Sequence, residues 1–459
     1  MKRKLISVFM TVIMGCTLLA GCGSSGDSAG TSSGESTVAM ENNEDAETET
    51  KEADTKEADT DGDQTLTVWA WDKSFNIYSM EEAEKVYQKD HPGFQLEIVE
   101  VGWDDMQTKL STIVGSGNYD QLPDILLMQD FAYQKYCITY PDLFQDLTDC
   151  GIDFSQFAEG KLNASVVGGK NYGVPFDNGT EIAAYRTDIL EQAGYTVEDL
   201  TDIDWDRFIE IGKDVFSKTG YSLCSVQAAS SDLIYQMLQS AGVSTWNEDD
   251  TPNLVGNDVL KQCVGIYKTM FEEGVMAITN SWDEYIATFT SGKSCGVING
   301  CWIMASIQSA EDTSGLWQIT NLPSLPGVEG ATNYSNQGGS TWAITSNCSD
   351  FDLAVDFLKE TFAGSVELYE TILPGAGALS TWIPASESSV YSEPQEFYGG
   401  QEVFSLLTDF AEKTPSVNLG VYYTEANTAL ATLLANVVAG SDIDDELKIA
   451  QETVEFSMQ

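Results

Sequence analysis

The chain has 459 residues, and its 72 Asp and Glu against 22 Lys and Arg give a formal net charge of -50 at pH 7. This charge excludes nucleic acid as a partner, because phosphate is bound by clusters of Lys and Arg, and it argues against steering of an anionic ligand. The single histidine, His91, precedes Pro92 in a connector. Histidine-based triads and multi-histidine metal centres are therefore disfavoured, and we predict neither a metal site nor a cofactor.

The N-terminus has the pattern of a secretory signal. Basic residues 2–4 precede an apolar run that is short for a membrane span. Residues 19–22 resemble a bacterial lipobox, which implies a signal peptide over residues 1–21 and lipid on Cys22; an ordinary signal peptide with a chance cysteine is the alternative. Residues 22–63 carry almost no large apolar side chains after the cysteine, which predicts a disordered acidic tether.

Seven cysteines remain after those of the signal and the lipobox are set aside. They show neither Cys-x-x-Cys nor metal-ligand spacing, and their number is odd. In an exported protein this pattern is compatible with a few disulfides or with a reducing habitat. The sequence leaves both alternatives open.

From residue 64 onward the composition is that of a globular protein, and the length is more than one hydrophobic core usually supports, so two lobes are expected. The first elements alternate strand and helix, which predicts a parallel sheet. They are a strand over 66–71, a helix over 80–89, a strand over 95–101, a helix over 106–114 and a strand over 123–128. Asp72 and Asp130 follow carboxyl strand ends, where ligand-facing residues of α/β sheets lie.

The segment 172–186 predicts a crossover between two sheets. An extended run contains Pro175, which disfavours a central strand, and a polar turn at Asp177 and Asn178 leads into a second apolar run and a helix. A solvated loop is the alternative interpretation. The segment 336–344, with its two glycines, has the pattern of a return crossover.

Several aromatic residues lie at the ends of the later elements. Trp302 follows a predicted strand, Trp382 lies in a loop before Pro384, and Tyr422 and Tyr423 head a long helix. Further helices are predicted over 201–218, 352–362 and 425–438. We interpret Trp103, Trp205, Trp246, Trp282 and Trp317 as packing or surface residues.

These features together resemble family 1 of the bacterial extracellular solute-binding proteins, which serve sugar ABC importers, and the maltodextrin-binding type in particular. The resemblance implies an α/β, two-lobed periplasmic-binding-protein fold, in which each lobe is a mostly parallel sheet flanked by helices and crossover segments form the hinge. It assigns residues 64–176 and 336–375 to the N-terminal lobe. Residues 177–335 and 376–459 then form the C-terminal lobe.

The resemblance also implies a sugar site between the lobes. The expected ligand-binding residues are Trp71, Asp72, Lys73, Asp130, Asp177, Asn178, Trp302, Trp382, Tyr422 and Tyr423. Carboxylates accept hydrogen bonds from hydroxyls, a lysine donates, and aromatic rings stack on sugar faces. Asp72 and Asp130 could instead cap helices. The crossover carries Asp177 and Asn178 where the maltodextrin type has a glutamate nearby, which leaves the identity of the ligand open.

The function implied is that of a receptor and not of an enzyme. A lipid-anchored monomer on the outer face of the cytoplasmic membrane would capture a carbohydrate by lobe closure and deliver it to the permease subunits of an ABC transporter. The alternatives are a carboxylate-dependent glycan-active enzyme, a polysaccharide-binding surface lipoprotein without a transporter, and a receptor for a non-sugar solute.

Overall fold

The computed structural model of the chain describes residues 64–228, 230–247 and 249–459. The predicted signal peptide over residues 1–21, the lipidated Cys22 and the tether up to residue 63 lie outside the described residues. Among the helices that are described, none combines the length and the apolar character that crossing a membrane requires.

Strands and helices alternate through most of the described chain. The strands are β1 (Gln64–Ala70), β2 (Phe94–Glu100), β3 (Ile125–Gln129), β4 (Val166–Val167), β5 (Lys170–Asn171), β6 (Val174–Asp177), β7 (Glu181–Arg186), β8 (Cys224–Gln227), β9 (Met276–Thr279), β10 (Gly296–Gly300), β11 (Trp317–Thr320) and β12 (Ser340–Ile344). The helices are α1 (Asn76–Tyr87), α2 (Trp103–Ser116), α3 (Asp130–Thr139), α4 (Glu159–Leu162), α5 (Thr187–Ala193), α6 (Trp205–Thr219), α7 (Asp232–Ser240), α8 (Asp258–Glu272), α9 (Trp282–Thr290), α10 (Met304–Gln308), α11 (Phe351–Glu360), α12 (Val366–Ala376), α13 (Ile383–Ser386), α14 (Val403–Lys413), α15 (Tyr423–Val438) and α16 (Ile443–Ser457).

The predicted elements are present, with ends displaced by a few residues. Helix α6 begins at Trp205 and not at residue 201, because the Asp204 carboxylate accepts a hydrogen bond from the Arg207 N–H at 2.8 Å and so caps the helix there. Strand β3 begins at Ile125, two residues after Pro123, whose nitrogen has no hydrogen to donate to a neighbouring strand.

The first lobe is built on a five-stranded sheet in the order β2-β1-β3-β12-β6, which we call the first sheet. Strand β1 pairs in parallel with β2 and β3, as the sequence predicts, whereas β12 is antiparallel to both β3 and β6. Pro175 lies on β6 at the sheet edge, where a residue without an N–H disrupts no central ladder.

The second lobe contains the antiparallel sheet β10-β7-β11, which we call the second sheet, and the parallel pair β8-β9. The two-lobed fold agrees with the prediction, but the second sheet departs from the expected mostly parallel pairing. The reason is the crossover: β7 leaves β6 after the three residues 178–180 and enters the second lobe directly, so no helical return aligns it with its neighbours.

Each sheet packs against its own layers of helices. Trp342, Phe176 and Phe357 are buried in the core of the first lobe, and Trp205 and Trp317 in the cores of the second. Trp382, assigned by the resemblance to the C-terminal lobe, lies in the core of the first lobe, between α12 and α13. The predicted lobe boundaries remain a prediction.

The cysteines within the described residues carry free thiols. Six of these seven, all except Cys150, are buried, and burial raises the pKa of Cys295 to about 12. The described part of the fold therefore contains no disulfide among these cysteines.

Gly296 tests the close packing of the second sheet. A Cβ at this position would lie 2.3 Å from Tyr185 Cδ1 and 2.7 Å from the Leu223 carbonyl oxygen. We expect Gly296→Ala to lower the free energy of unfolding by about 1–3 kcal/mol in urea titrations, because neither the buried Tyr185 ring nor the Leu223 carbonyl can move freely away from the added methyl group. Gly265→Ala in α8, where a Cβ meets no atom within 4 Å, is the control and should raise it by about 0.5–1 kcal/mol. Equal effects of the two changes would contradict the prediction.

Candidate functional site

A cleft of about 910 Å³ lies between the two lobes at the crossovers. Five of the predicted site residues line this cleft, which we call the aromatic cleft: Trp71, Asp72, Asp177, Trp302 and Tyr423. Its size is within the range of about 300–1,000 Å³ that is usual for small-molecule sites.

Two tryptophan pairs, which we call the tryptophan walls, line the aromatic cleft. On the first lobe, Trp71 and Trp103 meet edge to face with ring centroids 5.5 Å apart. On the second lobe, Trp282 and Trp302 are tilted by 33° at 5.9 Å, and Trp302 Nε1 donates a hydrogen bond to the Gln337 carbonyl at 3.0 Å. Each wall thus presents rigid ring surface to the space between the lobes.

The loop after β1 places Trp71 and Asp72. The Asn76 Oδ1 atom accepts hydrogen bonds from the backbone N–H groups of Trp71 and Asp72, both at 3.0 Å, and Asn76 is itself fully buried at the start of α1. The Ser74 N–H donates to Asp72 Oδ1 at 2.8 Å. Burial raises the pKa of Asp72, against these backbone hydrogen bonds. Asp72 does not cap α1, because Phe75 occupies the N-cap position of that helix. Its carboxylate instead accepts a hydrogen bond within its own loop.

The floor of the aromatic cleft is formed where β6 and β12 cross between the lobes. Asp177 is only 1% exposed, and its Oδ1 atom accepts hydrogen bonds from Ser340 N at 2.8 Å and from Ser340 Oγ at 2.5 Å. Burial raises the pKa of Asp177 in spite of the positive charge of Lys161 nearby. Gly339 has a φ of 97° and a Cβ there would lie 2.7 Å from Lys161 Nζ, so this turn requires glycine.

Asp130 and Asn178 line a separate, smaller cavity, described below. Asp130 forms an ion pair with Lys161, and Thr341 Oγ1 donates to its other oxygen at 2.8 Å. Asp130 is the first residue of α3 and its side chain accepts no capping hydrogen bond, so the helix-cap alternative does not describe it. Burial raises its pKa, against the opposing charge of Lys161.

The structure places three predicted residues away from the aromatic cleft. Lys73 extends into solvent, with 75% of its side chain exposed, and pairs with Glu100 at 2.7 Å. Trp382 is buried in the first lobe because its Nε1 donates to Gln156 Oε1 at 3.1 Å and its ring packs near Tyr369. Tyr422 packs against Trp246, with Lys135 over its other side.

Trp103 and Trp282 line the aromatic cleft, although the sequence pattern favours a packing or surface role for both. Both come directly after a strand, Trp103 after β2 and Trp282 after β9. The rule that ligand-facing residues follow carboxyl strand ends, applied to Asp72 and Asp130, would have found them. Asp232 and Asn427 also line the cleft and carry no comparable signal in the sequence.

The two lobes touch across the interlobe space through α3 and α15. The rings of Phe131 and Tyr423 are 4.4 Å apart, and Lys135 forms an ion pair with Glu425. The lobes are therefore in contact through α3 and α15, and Phe131 and Tyr423 also line the aromatic cleft.

The aromatic cleft can bind an uncharged, hydroxyl-rich molecule that also has flat apolar faces. Within the described residues, one cluster has ligand types suited to a metal ion, namely His91, Asp356 and Glu360, whose ligand atoms lie within 4.8 Å of one another. This cluster does not line the aromatic cleft.

Two lobes joined by crossing strands, with an aromatic cleft between them, define a two-domain binding protein. The sequence profile described as bacterial extracellular solute-binding protein matches residues 82–390. The lactose-binding protein of Rhizobium radiobacter is 38% identical over 394 residues, which cover 86% of this chain and 93% of that protein. The chain belongs to the bacterial extracellular solute-binding proteins, a family of receptors and not of enzymes that acts outside the cytoplasm.

More distant relatives and solved structures agree. The arabinooligosaccharide-binding protein of Halalkalibacterium halodurans is 23% identical over 83% of this chain and 86% of its own. The ABC transporter associated binding protein of B. animalis subsp. lactis, solved with beta-1,6-galactobiose, superposes with a TM-score of 0.74 at 20% identity, covering 85% of this chain and 96% of that one. The GacH receptor of Streptomyces glaucescens gives 0.73 at 16% identity, with coverages of 86% and 97%. These two structures share the fold.

Asp177→Asn tests the cost of the buried charge at the crossover. The amide Oδ1 can still accept both Ser340 hydrogen bonds, and the pKa of Asp177 lies above its ordinary value of 3.8, so the charged form opposes folding. That penalty is absent below pH 3.8 and grows as the pH rises through the raised pKa. We therefore expect the unliganded variant to be more stable than the parent at pH 7, and the difference to shrink towards pH 4, in urea titrations. A variant less stable by the same amount at both pH values would contradict this.

Proposed function

We propose that the protein captures a neutral oligosaccharide outside the cell and delivers it to the permease of an ABC importer. The observation that carries the proposal is the set of two tryptophan walls, Trp71 with Trp103 and Trp282 with Trp302, which line one cleft together with Asp72 and Asp177. The relatives named for lactose and arabinooligosaccharides support a carbohydrate as the ligand.

Sugars suit this cleft for two physical reasons. Their C–H faces are flat and apolar and stack on indole rings, and their hydroxyls donate to carboxylates in charge-assisted hydrogen bonds. Asp72, Asp177 and Asp232 line the cleft, and burial raises the pKa of each. A ligand rich in hydroxyl donors would compensate these desolvated carboxylates, whereas an anionic ligand would be repelled.

Capture would proceed by lobe closure. Residues 178–180 and the turn at Gly338 and Gly339 connect the lobes. Both glycines have positive φ and carry no side chain, so rotation about this turn displaces few side chains. Ligand contacting both tryptophan walls binds the closed form better than the open form and shifts the population towards it. We propose that residues 64–176 and 336–375, together with the segment around Trp382 that packs in the first-lobe core, move as one lobe against the rest.

Calorimetric titration of residues 64–459 with a panel of neutral oligosaccharides, lactose and arabinooligosaccharides included, tests the proposal. Binding of one series at one ligand per chain, with no product formed, is the expected result. Product formation would instead identify a glycan-active enzyme. Binding of insoluble polymer without affinity for short oligomers would identify a polysaccharide-capturing lipoprotein, and no heat from any sugar would point to another solute.

Trp71→Ala tests the tryptophan wall of the first lobe. The change should weaken binding of the best oligosaccharide by about 1–3 kcal/mol in calorimetry, because stacking and apolar burial are lost. Trp69→Ala is the matched control: Trp69 lies two residues earlier, does not line the aromatic cleft, and carries Lys109 over its ring at 5.0 Å. An unchanged affinity in the Trp71 variant, with the protein folded, would refute the stacking role.

We propose further that Cys22 carries the lipid that holds the receptor, as a monomer, at the outer face of the membrane. Cys22→Ser removes the thiol that would be acylated and leaves the preceding signal sequence intact. The variant should pass from the membrane fraction to the culture medium on immunoblots, since the attached acyl chains provide the anchor. Retention of the variant in the membrane fraction, released by no high-salt wash, would contradict the proposal.

A further inference from the structure

A second cavity, of about 470 Å³, lies between the lobes beyond the aromatic cleft, and we call it the hinge-side cavity. Phe131, Tyr423 and the segment at Gln337 and Gly338 line both spaces, so the Phe131–Tyr423 contact separates them. Its volume is also within the usual range for ligand sites.

Two buried side chains on the wall of the hinge-side cavity each have an oxygen without a protein partner among the described residues, although Gln236 Nε2 donates a hydrogen bond to Gln337 Oε1. Thr180 is 1% exposed and Gln236 is 2% exposed, and both line the cavity. Among the described residues, none pairs with Thr180 Oγ1 or Gln236 Oε1. An unpaired buried hydroxyl or amide oxygen costs about 1–3 kcal/mol. The protein maintains this cost at two positions on one cavity wall.

The backbone fixes Thr180 in this position. Its carbonyl accepts a hydrogen bond from the Cys301 N–H at 2.7 Å, and the residue forms an antiparallel bridge with Asn336. Thr180 therefore cannot turn away from the cavity by a local backbone change. The neighbouring Asn336 Oδ1 is likewise without a protein partner among the described residues.

The chemistry of the lining indicates the ligand class. Eight amide side chains line the cavity: Gln134, Asn163, Asn178, Gln236, Gln239, Asn336, Gln337 and Asn418. An amide both donates and accepts hydrogen bonds, which suits a hydroxyl that does the same. The charged pair Asp130 and Lys161 on the wall is internally neutralised, and the carboxylate of Asp232, which also lines the cavity, accepts hydrogen bonds from hydroxyl donors and repels anions.

We infer that the hinge-side cavity is a second binding site, separate from the tryptophan walls, for a neutral polyhydroxylated unit whose hydroxyls pair with Thr180 and Gln236. The unit is a free monosaccharide or polyol, or the far end of an oligosaccharide bound in the aromatic cleft. Both kinds of ligand would form the same hydrogen bonds. A free molecule would bind in addition to the ligand of the aromatic cleft, whereas the end of one long chain would add no second ligand. The inference goes beyond the proposed function, which needs only the aromatic cleft.

Thr180→Val and Thr180→Ser on the full-length receptor test the inference. Valine keeps the shape and removes the unpaired hydroxyl, so the unliganded variant should be as stable as the parent or more stable, while affinity at the second site falls about tenfold. Serine retains the hydroxyl and should retain the affinity. The matched control Thr361→Val removes a buried hydroxyl that donates to the Phe357 carbonyl at 2.6 Å, which should cost stability and leave binding unchanged.

Calorimetry with galactose, glucose, glycerol, lactose and longer arabinooligosaccharides separates the outcomes. A second isotherm for a monosaccharide or polyol, kept in Trp71→Ala and weakened in Thr180→Val, supports a separate molecule. A single isotherm in which Thr180→Val weakens long chains but not lactose supports one chain spanning both spaces.

Two further results would overturn the inference. If Trp71→Ala weakens binding while Thr180→Val leaves every isotherm unchanged, the hinge-side cavity is no site and the proposed function stands. If Thr180→Val is destabilised as strongly as Thr361→Val, its hydroxyl is already paired without ligand. Absence of heat from every probe with the folded parent would overturn both proposals together.

Discussion

The hydrogen bonds from Ser340 to the buried Asp177 carboxylate tie the outgoing crossover to the returning one. Strand β6 pairs with β12 at this point, and the register shifts between Ser340 and Thr341, so the carboxylate occupies a place where the strand ladder alone is incomplete. The aromatic cleft is set by this junction. Trp302 reaches the same region by donating to the Gln337 carbonyl, so the wall of the second lobe is joined to the crossover by a direct hydrogen bond.

The alternating pattern of strands and helices predicted the first lobe well, because β1, β2 and β3 pair through local connections whose hydrophobic periods are visible in the sequence. The antiparallel second sheet was not predictable in the same way. Its partners β7, β10 and β11 are distant in sequence, and their direction is decided by where the crossover enters the lobe.

The candidate site could be predicted in part. Trp71, Asp72, Asp177 and Trp302 were predicted because each follows a strand or lies at a crossover, and Tyr423 was predicted because it heads a long helix and the family resemblance assigns it to the site. Trp382 resembles them in sequence, yet a single hydrogen bond to Gln156 and packing in the first-lobe core hold it away from the cleft. Such long-range partners leave no local pattern, so no reading of one segment distinguishes Trp382 from Trp302.

Charge and closure are connected in this receptor. The chain carries a net charge of -50, yet the carboxylates at the crossovers are buried, and burial raises the pKa of Asp130 and Asp177. Burying these carboxylates is costly even though Lys161 and Ser340 partner them, because desolvation disfavours the charged form. A ligand with many hydroxyl donors reduces that cost on closure, and water lost from the tryptophan faces adds a favourable term. Under the proposed function, the number of hydroxyl donors that the ligand brings to these buried oxygens therefore contributes to the free-energy difference between the open and closed forms.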